Sequence, residues 1–334
     1  MRPITLPEIP YDATAVRPDW PDLPEPVRRA ITARLGSPVS AARSAGGGFT
    51  RAFAAVLDTE AGAGVFVKAA PLGDPTAEWY AREAAITAAL PPEVTAARPL
   101  WTMTDAGWYV LCLEAIDGRI PPLPWSRDDL QSALRTWSAA ATALAHPSPA
   151  LLAVGLPGLP EIVRGEMSWW SLIAKRREPM PEPATTTIAP QRLAELATLE
   201  RALPDLVAGD ALMHGDLRLD NVMIDAGGRA WLCDWTWPCL GAPWFDTVTL
   251  LVSAYASGLD TDAVLRAWGA PDEGVDGALA ALSGYWLVRA GGGPSSASPH
   301  SRQHQRFSGE QALAWLAERR GWDTAPARRG WLRR

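Results

Sequence analysis

Residues 214–234 read His-Gly-Asp-Leu-Arg-Leu-Asp-Asn-Val-Met-Ile-Asp-Ala-Gly-Gly-Arg-Ala-Trp-Leu-Cys-Asp, and no other stretch leaves the backbone so little choice. Val222 to Asp225 and Ala230 to Asp234 flank the Gly227-Gly228 turn, so they read as the two arms of a hairpin. That hairpin carries Asp234 back beside Asn221. The short loop from Asp216 to Asn221 presents a carboxylate and a side-chain amide from one segment. A surface turn rich in Asp and Asn has a similar composition. Loop spacing, hairpin and a second Asp rarely coincide in such a turn.

The stretch resembles the aminoglycoside phosphotransferase and choline kinase-like branch of the protein-kinase superfamily, whose catalytic loop is His-Gly-Asp, four residues, then Asn, with a metal-binding Asp after the next hairpin. The resemblance implies an α+β, protein kinase-like bilobal fold, with a small antiparallel-sheet lobe holding one helix and a larger, mainly helical lobe. It implies ATP and Mg²⁺ as cofactors and a small-molecule hydroxyl as acceptor. Asp216 would orient and deprotonate that hydroxyl, and Asn221 and Asp234 would bind Mg²⁺. Phosphoryl transfer needs positioning and charge neutralisation more than covalent chemistry, which this donor set supplies. His214 is structural in this family. Gly241-Ala242-Pro243-Trp244-Phe245-Asp246 matches the family's helix start, where Asp246 would steady the catalytic loop. It also suits an ordinary first-turn Asp. Trp235 and Thr236 stand where protein kinases have the Phe and Gly of Asp-Phe-Gly, so the switch role of that Phe is not carried over.

Upstream, the pattern is strand-like: Arg51 to Leu57, Gly64 to Ala69, Pro99 to Met103 and Gly107 to Leu113 are short β-branched or aromatic runs. A helix from Thr76 to Leu90 interrupts them, starting behind Asp74-Pro75 and stopping before Pro91-Pro92. Gly46-Gly47-Gly48 lies between strand-like runs, where the backbone amides of Gly47 and Gly48 could face phosphates; a plain turn explains a glycine triplet equally well. Of 31 basic residues only Lys68 and Lys175 are lysine, and Lys68 closes the run Val65-Phe66-Val67. A lysine there suits a compact charge aimed at phosphates. In the kinase resemblance it pairs with Glu83, Glu78 being the competing partner. Val110 to Gly118 then reads as a hinge, with backbone groups of Glu114 and Ile116 meeting adenine.

The chain thus divides into a Pro-rich extended segment (1–26), a nucleotide-binding lobe (27–115) and a helical lobe (116–334) carrying the catalytic loop and acceptor site. Residues 27–35 form a helix ended by Gly36. Helices are expected at Ser126–Ala145, Glu161–Ala174, Pro190–Leu206, Pro243–Ala256, Asp262–Trp268, Gly277–Ala290 and Ser301–Arg319. Pro147–Pro160, Glu178–Pro190 and the run after Gly291 read as loops, and the basic tail at Arg328-Arg329 and Arg333-Arg334 as a solvated end.

A net charge of −6 argues against nucleic-acid binding and is compatible with a cationic acceptor. No apolar run reaches the length of about 18 residues that a spanning helix requires, so a cytoplasmic location without membrane contact is expected. The 3 cysteines show neither a paired nor a zinc-binding pattern. Two groups qualify as acceptor contacts: Glu161, Glu166 and Trp169, with Trp170, Glu178 and Glu182 nearby; and Asp272, Glu273 and Asp276. Solvated helix faces and core tryptophans explain both groups equally. The 17 tryptophans raise a rival, a catalytically silent kinase fold binding ligands on aromatic platforms. Retention of Lys68, Asp216, Asn221 and Asp234 argues against it. A metabolite kinase of the choline or homoserine type remains open beside an antibiotic or sugar kinase.

Overall fold

A computed structural model describes residues 2–62, 64–182, 188, 190–293 and 296–322. Five antiparallel strands build the smaller lobe: β1 (Val39–Ser44), β2 (Phe53–Thr59), β3 (Val65–Pro71), β4 (Pro99–Asp105) and β5 (Trp108–Glu114), in the order β1-β2-β3-β5-β4. Period-two alternation gives this sheet two apolar faces. Phe53, Val67, Ala69 and Val110 pack with Val27 and Ile31 of helix α1 (Glu25–Leu35). Ala70, Leu111 and Leu113 point the other way, onto Ala77, Tyr80 and Ala84 of α2 (Pro75–Ala89). Because Val67 and Ala69 occupy the first face, Lys68 falls on the second, toward α2. The Asp74 side chain accepts from Thr76 N and caps α2 at its start. At its end the Arg98 guanidinium donates to the carbonyls of Thr87, Leu90, Pro91 and Val94 at 2.8–3.0 Å.

The larger lobe holds α3 (Arg127–Ala143), α4 (Pro149–Leu152), α5 (Leu159–Glu166), α6 (Trp169–Ala174), α7 (Pro190–Leu206), α8 (Trp244–Ala256), α9 (Thr261–Ala267), α10 (Asp272–Ala290) and α11 (Ser301–Arg319). Strands β6 (Gly118–Arg119), β8 (Val222–Asp225) and β9 (Ala230–Leu232) form one small sheet, and β7 (Ala211–Met213) pairs with β10 (Cys239–Gly241). In the β8–β9 hairpin Val222 faces Leu232 and Ile224 faces Ala230. Trp137, Trp170, Trp235 and Trp315 are completely buried, so these four are packing residues and not platforms. The bilobal α+β expectation holds.

Three helix and loop boundaries differ from the sequence reading by more than two residues, each for a local reason. The helix expected over Glu161–Ala174 breaks at Met167 and Ser168, where the Ser168 hydroxyl donates to Val163 O at 3.1 Å. The expected loop Pro147–Pro160 contains α4, which opens with Ser148 capping Leu151 N and Pro149 in the first turn. Helix α10 starts at Asp272 instead of Gly277, and its glycines serve close packing: a Cβ on Gly274 would lie 2.8 Å from the Trp244 ring.

The N-terminal segment straps the two lobes together. Arg2 forms a two-point bond to Glu318 of α11 at 2.8 Å, Thr5 N donates to Ala256 O of α8, and Leu23 enters the α1 face of the sheet. Two 3-10 turns, Tyr11–Ala13 and Trp20–Asp22, interrupt it, and Trp20 stands 6.0 Å from the Phe53 ring. Among the described residues no helix is long and apolar enough to cross a membrane. The arginine-rich tail, Pro294 and part of the linker before Pro190 lie outside the described residues.

Candidate active site

Strand β7 delivers the chain into the loop at His214. Gly215 follows with φ +77°, and a Cβ there would come within 2.0 Å of Trp237 O, so only glycine fits. The Asp246 carboxylate, in the first turn of α8, accepts from His214 N at 2.7 Å and Gly215 N at 3.2 Å. His214 donates through Nε2 to Cys233 O at 2.9 Å, tying the loop to the strand end before Asp234. Its Nδ1 is buried without a partner among the described residues, and burial lowers the imidazole pKa to about 4. His214 is therefore neutral near pH 7, and its one ring proton is held by a carbonyl.

Asp216, Asn221 and Asp234 converge. The Asn221 Nδ2 donates to Asp216 O at 2.7 Å and reaches Asp216 Oδ2 at 3.3 Å, leaving its Oδ1 for another partner. Arg218 bonds Asp216 Oδ1 and forks onto Asp220 at 2.8 and 3.0 Å. Burial lifts the Asp216 carboxyl to about 7, with the Arg218 cation opposing. Asp234 has a left-handed backbone, φ +61°, a conformation that costs about 1–3 kcal/mol and persists where surroundings impose it. Thr236 Oγ1 donates to Asp234 Oδ1 at 2.7 Å, and Lys68 Nζ stands 3.4 Å from the same oxygen. Burial opposes ionisation of Asp234, but Lys68 and the Thr236 hydroxyl outweigh it and bring the carboxyl to about 2.

Lys68 pairs with Glu83, not Glu78, at 2.7–2.8 Å; the two side chains are 11% and 2% exposed. Burial would neutralise this lysine, and Asp234 and Glu83 together keep it charged. The oxygens left over, Asn221 Oδ1 and Asp234 Oδ2, are hard donors suited to magnesium. Among the described residues no group of three or more His, Cys, Asp or Glu is placed to hold a metal, so this pair would need water or phosphate oxygens to complete a shell.

The glycine-rich loop is held from behind by the N-terminal segment. Ala15 N donates to Gly46 O at 2.8 Å, Arg17 Nη2 to Gly47 O at 2.7 Å and Thr14 Oγ1 to Gly48 O at 3.3 Å. A Cβ on Gly46 would sit 2.1 Å from Asp12 O, so bare backbone is required for this approach. With those carbonyls occupied, the amides of Gly46 to Phe49 donate to no protein acceptor among the described residues. In the hinge, Glu114 N donates to Arg98 O at 2.9 Å. The Ile116 amide and carbonyl have no protein partner among the described residues.

The expected acceptor residues separate. Glu161 accepts from Gly158 N at 3.4 Å and caps α5. Glu166 and Trp169 are joined by an indole bond to Glu166 O at 2.7 Å and lie beside Tyr285 and Arg289 of α10. The Arg289 guanidinium is 5.5 Å from the Tyr285 ring and 6.0 Å from the Trp169 ring. Burial raises the Tyr285 pKa, and the charges of Arg289, Asp216, Glu166 and Arg218 also act on it, which ties this group to the catalytic loop. Asp272 and Asp276 instead bond Arg319 at 3.1 and 2.6 Å, with Glu273 beside them in the first turn. Asp272 stands about 20 Å of helix rise from Tyr285. Sequence reasoning missed Arg17, Tyr285 and Arg289, which carry no motif, and gave Thr236 and Arg218 no role.

The family profile described as the phosphotransferase enzyme family, APH, matches residues 42–283. No curated protein sequence matches the chain. Similar solved folds include a thermostable mutant of aminoglycoside phosphotransferase APH(4)-Ia in complex with ADP and hygromycin B (TM-score 0.56, 14% identity, 88% of this chain and 98% of that one). Another is a fructosamine-3-kinase homologue from Haemophilus somnus 129PT (TM-score 0.53, 12% identity, 86% and 97% covered). A third is choline kinase LicA from Streptococcus pneumoniae (TM-score 0.52, 15% identity, 87% and 98% covered). With its two-lobed fold and a family match across residues 42–283, the chain belongs to the phosphotransferase enzyme family.

Proposed function

We propose that the protein is an ATP- and magnesium-dependent kinase that phosphorylates a hydroxyl group of a small molecule. The observation that carries this reading is the convergence of Asp216, Asn221 and Asp234 beside the buried Lys68–Glu83 pair. When bound, magnesium neutralises phosphate charge as the phosphoryl group moves. Asn221 Oδ1 and Asp234 Oδ2 would hold it, and Lys68, fixed by Glu83, would hold phosphate oxygens. Residues 27–115 bind the nucleotide in this reading, with adenine at the hinge near Glu114 and Ile116 and phosphates under Gly47 and Gly48. Residues 116–334 supply the catalytic loop and the acceptor site. Asp216 receives the acceptor hydroxyl proton, Arg218 keeps that carboxylate in place, and Asp246 holds the loop backbone while His214 stays neutral.

The acceptor lies by Glu166, Trp169, Tyr285 and Arg289. Charges of both signs act on Tyr285 there, from Asp216 and Glu166 and from Arg218 and Arg289. An antibiotic, a sugar or a small metabolite would each supply the hydroxyl. Asp216→Asn tests the mechanism: transfer should fall by about 10²–10⁴ while ATP affinity stays near wild type. Unchanged turnover would remove Asp216 from it. ATP consumption measured across a library of hydroxyl compounds identifies the acceptor, and silence throughout with ATP still bound favours the ligand-binding alternative.

A further inference from the structure

The N-terminal segment does more than cross the surface. Between Tyr11 and Arg17 it lies against the glycine-rich loop, and Arg17 turns inward from it. One guanidinium nitrogen, Nη2, donates to Gly47 O at 2.7 Å and would stand 3.2 Å from a Cβ on Gly48. Nε is buried without a partner among the described residues. No carboxylate approaches Arg17 within 4.0 Å among the described residues, although Asp234 and Tyr80 lie near enough to act on its charge. A structural staple for the loop explains Nη2 and leaves Nε unexplained. An arginine stays protonated when buried, so a cation without a carboxylate is costly unless an anion meets it.

The surroundings of that guanidinium are those of a phosphate pocket. Gly46 to Phe49 offer amides without a protein acceptor among the described residues, and the Asp234 and Tyr80 that act on Arg17 both lie against Lys68, whose Nζ is 3.4 Å from Asp234 and 5.4 Å from the Tyr80 ring. Arg17 presents a planar fork of donors suited to two phosphate oxygens at once. We propose that Arg17 is a nucleotide-phosphate ligand supplied by the N-terminal segment, which makes residues outside the matched family region part of the nucleotide site. The inference rests on the kinase reading given above. By it, the segment couples strap and substrate: nucleotide draws Arg17 toward the cleft, and Tyr11 and Thr14 hold the same stretch of chain through His304 and Ser298.

Calorimetric titration of the full chain with ATP, ADP and AMP in magnesium tests this. Three proteins are compared: wild type, Arg17→Gln and Arg17→Lys. ATP and ADP should bind Arg17→Gln about ten- to a hundredfold more weakly, with AMP changed less than about twofold, and Arg17→Lys should recover part of the loss. The variant's ATP affinity should also depend less steeply on salt. Equal weakening of all three nucleotides would reduce Arg17 to a loop support and overturn the proposal. Tighter ATP binding by Arg17→Gln would make Arg17 a plug in the pocket and overturn it as well. Wild type and Arg17→Gln binding ATP alike would sink this inference and leave the kinase reading standing, whereas wild type binding no adenine nucleotide would sink both.

Discussion

Two clusters of opposite charge lie on this chain, and they end differently. Where α10 meets α11, Arg319 bonds Asp262, Asp272 and Asp276, and Arg320 bonds Asp276 and Glu195. Every nitrogen of both guanidiniums has a carboxylate acceptor. In the cleft, by contrast, Lys68, Glu83, Asp216, Arg218 and Asp234 satisfy one another only in part. Asn221 Oδ1, Arg17 Nε and the amides of the glycine-rich loop remain over. Both clusters combine Arg and Asp at hydrogen-bond distance, so residue type does not tell them apart. What distinguishes them is the remainder: the closed network holds helices, and the open one leaves donors and acceptors that the proposed nucleotide and metal would take up.

Perturbing each cluster should therefore change different quantities. The largest effect belongs to Asp216→Asn, which should remove turnover by the factors given above with little change in melting temperature. Asp276→Ala should do the reverse. It removes a carboxylate shared by Arg319 and Arg320, and should lower unfolding free energy by about 2–3 kcal/mol in urea while turnover per folded molecule stays within about twofold. A drop in turnover matching the Asp216 variant would show that the α10 start reaches the active site, and the comparison would fail.

A smaller effect sharpens the same contrast at His304, where the strap, the glycine-rich loop and the catalytic loop meet. Its Nδ1 pairs with the Tyr11 hydroxyl at 2.8 Å, Phe49 stacks on it at 4.8 Å, Trp286 meets it edge-on, and Nε2 is buried without a partner among the described residues. Burial, and then the Arg218 cation, lower its pKa to about 3, against the pull of Asp220. The unfolded chain takes up a proton below about pH 6.5 and the folded chain does not, so stability falls as pH drops from there. By pH 5 the part of that loss owed to His304 should reach roughly 2 kcal/mol, so the wild-type curve should fall relative to that of His304→Gln by this amount. Parallel curves for variant and wild type between pH 6.5 and 5 would contradict this.

Local patterns made much of the fold readable. Strands β2, β3 and β5 are short, nearly continuous apolar runs because α1 and α2 cover both faces, and Asp74-Pro75 marks the start of α2. Strand β1 has almost no buried residue, so its sequence carries no alternation. The end of α5 depends on one serine hydroxyl, and the start of α10 is hidden by glycines that pack closely. In the site, Asp216, Asn221 and Asp234 were legible because one loop and one hairpin bring them together. Lys68 stood out as a rare lysine at a strand end. Arg17, Tyr285 and Arg289 were not legible: Arg17 meets Gly47 O and Arg289 meets the Trp169 ring across long stretches of sequence, and Tyr285 carries no motif. Asp272 and Asp276 looked like a binding group because no sequence pattern reveals that Arg319 lies opposite them.

The central claim is that Asn221 and Asp234 complete a magnesium site on a nucleotide held next to Asp216. ATP titrated into wild type and Asp234→Asn, with and without Mg²⁺, tests it most directly. The account predicts that magnesium tightens ATP binding to wild type and that the variant loses this gain. An equal magnesium gain in both proteins would contradict it.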